Sequence, residues 1–163
     1  MPVTPVDSSH PDMIQNNMKG EGGNMKNEIG KKNMIFGFAY FITTLVLGLY
    51  LATEAEEALP GAEENPLLEL LSHAHSHGNL ESVLNILIGY ILCQLEASSG
   101  LLNAVSILLL IGAIFHSGML YLSGLGLGFA LNLAPIGAIS LVLTMAIMVY
   151  IIAVGFKKQT GSY

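Results

Sequence analysis

Four long apolar runs alternate with polar segments along the chain, and each run is close to the length of a membrane crossing. A transmembrane α-helix needs about 20 predominantly apolar residues. The four runs cover residues 33–53, 74–95, 101–123 and 136–156. The pattern therefore predicts an all-α fold, a four-transmembrane-helix bundle. Tyr40 and Tyr50 of the first span are expected at or near the membrane interfaces.

The segments outside the apolar runs define the domain division. Residues 1–32 are rich in Asn, Gly, Lys, Met, Pro and Ser and carry no apolar periodicity, so we predict a disordered tail. Residues 33–156 form the four-helix transmembrane domain, and residues 157–163 form a short C-terminal tail. Pro66 can open the second helix, and the Gly-rich residues 124–135 are predicted to form the loop between the last two spans.

The basic residues indicate the orientation of the bundle. All six are lysines near the two ends of the chain: Lys19, Lys26, Lys31, Lys32, Lys157 and Lys158. Short lysine-bearing segments stay in the cytoplasm. We therefore expect both termini to be cytoplasmic, which requires an even number of spans. The chain is predicted to lie in the cell membrane, in contact with lipid.

The composition is that of a membrane protein. Apolar residues make up 52% of the chain and charged residues only 11%, against about 25% charged residues in a typical soluble domain. No basic patch exists to neutralise phosphates, so nucleic acid is not an expected partner. The single cysteine, Cys93, lies inside an apolar run. It can form no internal disulfide, and we interpret it as a packing residue.

A polar stripe marks the start of the second span. His73, His77, Glu81 and Asn85 follow one another at four-residue intervals and share one broad helix face, with His75 on a neighbouring stripe. Polar side chains in a bilayer usually face the bundle interior and mark function. Two alternatives stay open. The histidines could form the hydrated start of the span, and Glu81 and Asn85 could make structural helix–helix hydrogen bonds.

Depth in the membrane links the second span to the third. Glu81 lies 14 residues before the inner end of the second span, and His116 lies 15 residues after the inner end of the third. At about 1.5 Å per residue, both lie about 20 Å from that end. His75 and Tyr121 are each 20 residues from the same ends. We therefore expect two matched polar levels in the outer half of the bilayer.

The histidines are candidate ligands of a cofactor, since an imidazole can bind haem iron or a bare transition metal. A bare site would use His73 and His77, four residues apart on one face, with Glu81 and His116, and His75 is a further candidate ligand. Two or three imidazoles and a carboxylate suit copper, iron or zinc. At this point both kinds of cofactor remain open.

Several short motifs make the chain similar to the styrene oxide isomerase family of four-span membrane proteins. Over about residues 34–156 the matching pieces are Leu59-Pro60-Gly61, Ala74-His75-Ser76 with a downstream asparagine, and Ser117-Gly118-Met119-Leu120-Tyr121-Leu122. Where the family has Gly-Pro after His-Ser, this chain has His77-Gly78. At the position of the family's asparagine it has Glu81, with Asn79 and Asn85 nearby.

The resemblance implies haem b bound between the subunits of a membrane trimer. His75 would be the axial ligand, with His77 and His116 as further cofactor-binding residues. The ferric iron would act as a Lewis acid on the epoxide oxygen, and Tyr121 would orient the substrate by a hydrogen bond. Glu81 and Asn85 are the candidates for the role of the family's asparagine.

Two functions follow, from different classes. The first is an isomerase that converts a small hydrophobic epoxide, supplied by the lipid, into a carbonyl compound. The second is a non-catalytic accessory subunit of a larger membrane metalloenzyme, of the respiratory or copper monooxygenase type. Small residues suited to helix packing favour the second: Gly112, Ala113, Ser117, Gly124 and Gly128. A transporter is disfavoured, since the sequence contains no internal repeat.

Overall fold

The computed structural model describes the backbone of residues 11–57 and 65–159, and the side chains of residues 28–55 and 65–154. The described chain is all-helical, which confirms the all-α part of the predicted fold, and no strand occurs within these ranges. Its elements, in chain order, are α1 (Pro11–Glu57), α2 (Pro66–Gln94), α3 (Ser99–Phe115), α4 (Ser117–Gly124), a 3-10 helix (Gly128–Leu133) and α5 (Ala134–Gln159).

Three segments of the described chain are long and apolar enough to cross a membrane. They are Glu28–Ala55, Ser99–Gly124 and Gly128–Val154, and they overlap the first, third and fourth predicted spans. The second predicted span corresponds to α2, which has 29 residues but carries the His, Asn, Ser and Glu side chains of the polar stripe. Length and apolar composition therefore establish three candidate spans.

The helix boundaries differ from the predicted ones in two places. α1 begins at Pro11 and thus includes most of residues 1–32, predicted to be disordered, while residues 1–10 lie outside the described chain. Gly30 is buried where α1 contacts Gly89 of α2, so packing begins before residue 33. The predicted loop 124–135 contains the 3-10 helix. The Leu59-Pro60-Gly61 motif lies outside the described residues.

The start of α2 follows the prediction for Pro66. Pro66 occupies the first helical turn, and the Asn65 side chain accepts a hydrogen bond from the Leu67 backbone N–H at 3.0 Å. Proline suits this position because its missing N–H would have no partner inside the helix. The asparagine satisfies one of the donors that the helix start leaves free.

The helices pack in a simple order. α1 lies along α2, α2 also packs against α4, and α3 packs against α5. One apolar cluster lies near the α2–α3 end of the bundle, built around Leu92, Leu102 and Leu109. A smaller one lies towards the opposite end, built from Leu47, Leu71 and Ala74. On α2 the polar stripe lies between the two clusters.

The distribution of polarity is inverted relative to a soluble protein. Large apolar side chains are exposed along the outward faces of α1, α2 and α5. Buried polar side chains lie between the helices: Asn33, Thr44, Glu81, Ser82, Asn85, Ser106, Ser117, Ser123, Ser140 and Thr144. In a bilayer the apolar exterior is matched to lipid, and polar groups satisfy one another inside. The arrangement is compatible with a membrane protein.

Glycine allows α1 and α2 to approach closely beside the polar stripe. A Cβ at Gly78 would lie 2.5 Å from Thr44 Cγ2, and a Cβ at Gly37 would lie 2.8 Å from the Ser82 carbonyl oxygen. Any larger residue would therefore push the helices apart. Close backbone approach at small residues is a common way to pack transmembrane helices.

Candidate metal centre

Three side chains with metal-binding atoms converge between α2 and the α3–α4 junction. His77 and Glu81 are four residues apart on α2 and so share a face, and His116 comes from the junction. One ligand atom of each, an imidazole nitrogen or a carboxylate oxygen, lies within 4.8 Å of the others. Such a His-Glu-His group could hold a metal ion.

A break in the helical backbone between α3 and α4 positions His116. At this residue the backbone has φ −92° and ψ −83°, which is outside the helical region. Gly137 of α5 lies directly against the backbone of Phe115 and His116, where a Cβ would overlap the chain. The break reorients the chain, so that His116 and its neighbour Ser117 both reach Glu81.

Hydrogen bonds engage both oxygens of the Glu81 carboxylate. His116 Nδ1 lies 2.6 Å from Oε1, and Ser117 Oγ donates to Oε2. Ser117 Oγ in turn lies 2.7 Å from the Tyr40 hydroxyl of α1. Three helices thus contribute to the surroundings of one buried carboxylate, which could not remain there without such partners.

The two imidazoles form the open side of the group. The His77 and His116 rings meet edge to face, with centroids 4.7 Å apart. The His116 side chain is 21% exposed, whereas that of Glu81 is 2% exposed. Within the described part of the chain, no hydrogen bond engages the His77 ring. Access to the group is therefore from the imidazole side.

One of the two expected pairings is a contact in the structure. The predicted pairing of Glu81 with His116 is realised as the 2.6 Å contact, and His77 joins them. The second predicted level paired His75 with Tyr121. No hydrogen bond links these two among the described residues, and the Tyr121 side chain lies at the surface, 38% exposed.

The other two histidines of the stripe lie elsewhere. The His75 ring faces α1 at Gly48, where Nδ1 donates to the Thr44 carbonyl oxygen at 2.8 Å and Nε2 lies 3.2 Å from Asn79 Nδ2. His73 points outward with its side chain 58% exposed, and lies 3.7 Å from Glu69 Oε1. Neither is brought to the His-Glu-His group. His75 lies on a neighbouring face of α2, and His73 lies two turns before Glu81, about 12 Å away along the helix axis.

Asn85 lies one helical turn from Glu81 but serves another contact. Its Nδ2 donates to the Glu81 backbone carbonyl at 2.9 Å, and its Oδ1 accepts from Asn33 Nδ2 at 3.0 Å. Both polar ends of the amide are used within the bundle. The structure therefore places Asn85 beside the Glu81 backbone and not beside its carboxylate.

Two residues beside the His-Glu-His group, Tyr40 and Ser117, were not identified as site residues from the sequence. Tyr40 was expected near an interface, but its hydroxyl lies inside the bundle on Ser117. The structure explains the matching height of Tyr40 and Glu81: Tyr40 lies ten residues along α1 from Gly30, and Glu81 eight residues along α2 from Gly89, which faces Gly30. The sequence alone does not give this register between the two helices. Ser117 had no sequence signal either, because its direction depends on the break at His116.

No family model, curated protein or solved structure matches this chain. The similarity to styrene oxide isomerases therefore stays a prediction based on short motifs. The geometry of one residue, His75, can be compared with the role that this similarity implies. His75, the implied axial ligand, has both ring nitrogens next to hydrogen-bond partners, Thr44 and Asn79. The Nδ1 contact with a backbone carbonyl is one that metal-bound histidines commonly make, whereas a haem iron at Nε2 would have to replace the contact with Asn79.

Proposed function

We propose that this chain is an integral membrane metalloprotein that binds one divalent transition-metal ion through His77, Glu81 and His116. The observation that carries the proposal is the convergence of their ligand atoms within 4.8 Å of one another. The site combines one buried carboxylate with two partly exposed imidazoles. Such a set of donor atoms can bind a cation.

The donor set favours zinc, iron or copper. Two imidazole nitrogens and one carboxylate oxygen are the ligands of many catalytic zinc sites and of non-haem iron sites, and imidazole also suits copper. Three protein ligands leave at least one coordination position for water or a substrate. Because the imidazole side is the open one, that position would face outward between α2 and the α3–α4 junction.

The proposal includes a fourth membrane span formed by α2. With 29 residues it is about 43 Å long, enough to cross a hydrocarbon core of about 30 Å. It packs against α1, α3 and α4, so that Glu81, Ser82 and Asn85 of its polar face are covered by protein. Four spans and cytoplasmic lysines at both ends would place the metal centre in the outer half of the bilayer.

The reaction we propose is Lewis-acid activation of an oxygen atom in a small apolar molecule that enters from the lipid. Epoxide isomerisation, implied by the family resemblance, is the first reaction to assay. Haem b held by His75 between the subunits of a trimer is the competing cofactor proposal. An accessory subunit of a larger membrane metalloenzyme is the competing role.

The metal content of purified protein tests the centre. Wild-type protein in detergent is expected to hold close to one equivalent of zinc, iron or copper by elemental mass spectrometry. His116→Ala should lose the ion, because it removes one of three ligands. His73→Ala is the matched control and should retain it, since His73 lies on the exposed side of the same helix.

The alternatives give different results in the same experiment. A haem absorption band that disappears in His75→Ala would replace the proposed centre by the haem site. Wild-type protein without metal or haem would favour the accessory role. Equal metal content in wild type and His116→Ala would contradict the assigned ligands.

Labelling of single cysteines from outside the cell tests the fourth span. In a Cys93→Ser background, four spans place Ser98→Cys inside and Leu125→Cys outside, so an impermeant maleimide should label only the latter. If α2 did not cross, the two results would be exchanged. Both positions are exposed in the structure, so packing does not hide them from the reagent.

A further inference from the structure

We propose that Tyr40 is a positioning residue of the metal centre, which acts through Ser117 to hold the Glu81 carboxylate in its ligand orientation. The inference rests on the proposed function and deepens it by adding α1 to a site otherwise built on α2 and the α3–α4 junction. It assigns a role to a phenol that the apolar pattern of the first span had placed at an interface.

The directions of the hydrogen bonds follow from counting protons. An ionised carboxylate can only accept, so Ser117 Oγ donates its single proton to Glu81 Oε2. The Tyr40 hydroxyl, 2.7 Å from Ser117 Oγ, must then be the donor in that pair. The Ser117 hydroxyl also lies 3.3 Å from the Ala113 carbonyl oxygen. This contact is longer, and the single hydroxyl proton is directed to Glu81 instead.

Tyr40 therefore strengthens the contact that orients the carboxylate. A hydroxyl that accepts one hydrogen bond becomes a better donor in the next. Without the phenol, Ser117 could turn its proton towards Ala113, as hydroxyls in helices commonly do. The Glu81 carboxylate would then lose the partner of Oε2, and with it the orientation that directs Oε1 to the His116 side.

The phenol is itself held in place. Its ring stacks on Phe36, one turn earlier on α1, with centroids 5.4 Å apart and planes inclined by 25°. Gly118 faces the hydroxyl, and even an added Cβ there would lie 3.7 Å away. The ring contact and the Ser117 hydrogen bond thus fix the direction of the side chain.

Partners of this kind have measurable effects on metal affinity. Groups that hydrogen-bond to metal ligands typically change affinity by about 10–100-fold when they are removed. Ser117 touches the ligand and should lie high in that range. Tyr40 acts at one remove, and its effect should lie at the lower end, about 10-fold.

A cobalt titration of full-length protein in detergent tests the inference. Co²⁺ is the probe, because its visible absorption reports the ligand geometry as well as the affinity. Tyr40→Phe is expected to weaken binding about 10-fold and to shift the band. Tyr50→Phe is the matched control on the same helix, where the side chain is exposed, and should leave both readouts unchanged.

The double variant separates positioning from general stability. If Tyr40 acts only through Ser117, Tyr40→Phe adds no further loss of affinity to Ser117→Ala, since variants that remove one chain of contacts are not additive. Fully additive losses, or a wild-type spectrum and affinity in Tyr40→Phe, would overturn the inference. Failure of wild-type protein to bind Co²⁺ would instead overturn the proposed function, and the inference with it.

Discussion

Two buried polar clusters lie one helical turn apart on α2. They differ in how many of their polar atoms have hydrogen-bond partners. The proposed metal centre, called the metal centre below, contains Glu81 with two partly exposed imidazoles. The other cluster joins Asn33 of α1, Asn85 of α2 and Ser106 of α3. In it Asn33 Nδ2 donates to Asn85 Oδ1 at 3.0 Å and to the Ser106 carbonyl oxygen at 3.2 Å. Ser106 Oγ donates back to Asn33 Oδ1.

The asparagine–serine cluster is closed, whereas the metal centre is open. Asn33 and Asn85 are fully buried, and each amide finds partners on neighbouring helices. Neutral groups that satisfy one another stabilise helix contacts in a membrane. The metal centre has an ionisable group and an imidazole, His77, whose ring no hydrogen bond engages within the described chain. The two clusters are therefore alike in the burial of their polar groups, and they differ in that only one contains an imidazole without a hydrogen-bond partner among the described residues.

The strongest test of this comparison is Glu81→Gln, since the amide keeps the shape of the side chain and removes its charge. Metal affinity should fall by more than about 100-fold, beyond the usual effect of losing an outer partner of a ligand. Thermal stability of the metal-free protein should change little, because the amide oxygen still accepts from Ser117. Chelator competition measures the affinity. Unchanged affinity would mean that both clusters are structural.

The next largest effect is expected from Asn33→Leu, in the closed cluster. The substitution leaves buried acceptors on Asn85 and Ser106 without their donor, and should lower the free energy of unfolding by about 1–3 kcal/mol. Metal affinity of the folded protein should be unchanged. Denaturant unfolding in detergent measures the loss, with Ile35→Leu on the exposed face of α1 as control. A loss of metal binding without a loss of stability would reverse the two roles.

A smaller effect is expected from Ser106→Ala, which removes one hydrogen bond to Asn33. Interhelical hydrogen bonds in membrane proteins contribute about 0.6 kcal/mol on average, so the stability should fall by about that amount. Ser117→Ala makes the same chemical change in the open cluster and should act on metal affinity instead. Measuring the unfolding free energy and the metal affinity of both serine variants thus distinguishes the structural cluster from the metal centre.

The smallest effect is expected from Tyr121→Phe, which tests the role implied by the isomerase resemblance. The Tyr121 side chain is surface-exposed, so the change in stability should stay within about 0.5 kcal/mol and Co²⁺ binding should be unchanged. Epoxide turnover that disappears in this variant would restore Tyr121 as a substrate-orienting group and place the reaction outside the His77–Glu81–His116 centre.

Much of the helical architecture could be predicted from the apolar pattern. The first, third and fourth spans coincide with the apolar helices of the structure, because lipid requires long uninterrupted runs whatever their neighbours are. Pro66 opened α2 as expected. The packing of α1 before residue 33 could not be predicted from the sequence, because the contact of Gly30 with Gly89 depends on how the two helices approach each other.

The candidate site was predicted in part. Counting residues from a shared membrane boundary paired Glu81 with His116, because depth in a bilayer is proportional to residue number along a helix. The same count did not single out one of the three histidines. His77 lies nearest to His116 in depth, and His75 and His73 lie about 3 and 6 Å further out. The rotation of α2 against its neighbours decides which ring faces the bundle partner.

The sequence by itself determined which groups lie at matching heights along neighbouring helices, through helix rise and the lengths of the apolar runs. The tertiary structure decided which of them meet. Close packing at Gly37 and Gly78 brings α1 with Tyr40 onto α2, and the break at His116, backed by Gly137, turns two adjacent residues onto one carboxylate. Depth is a property of one chain segment, whereas direction depends on how the helices pack against one another.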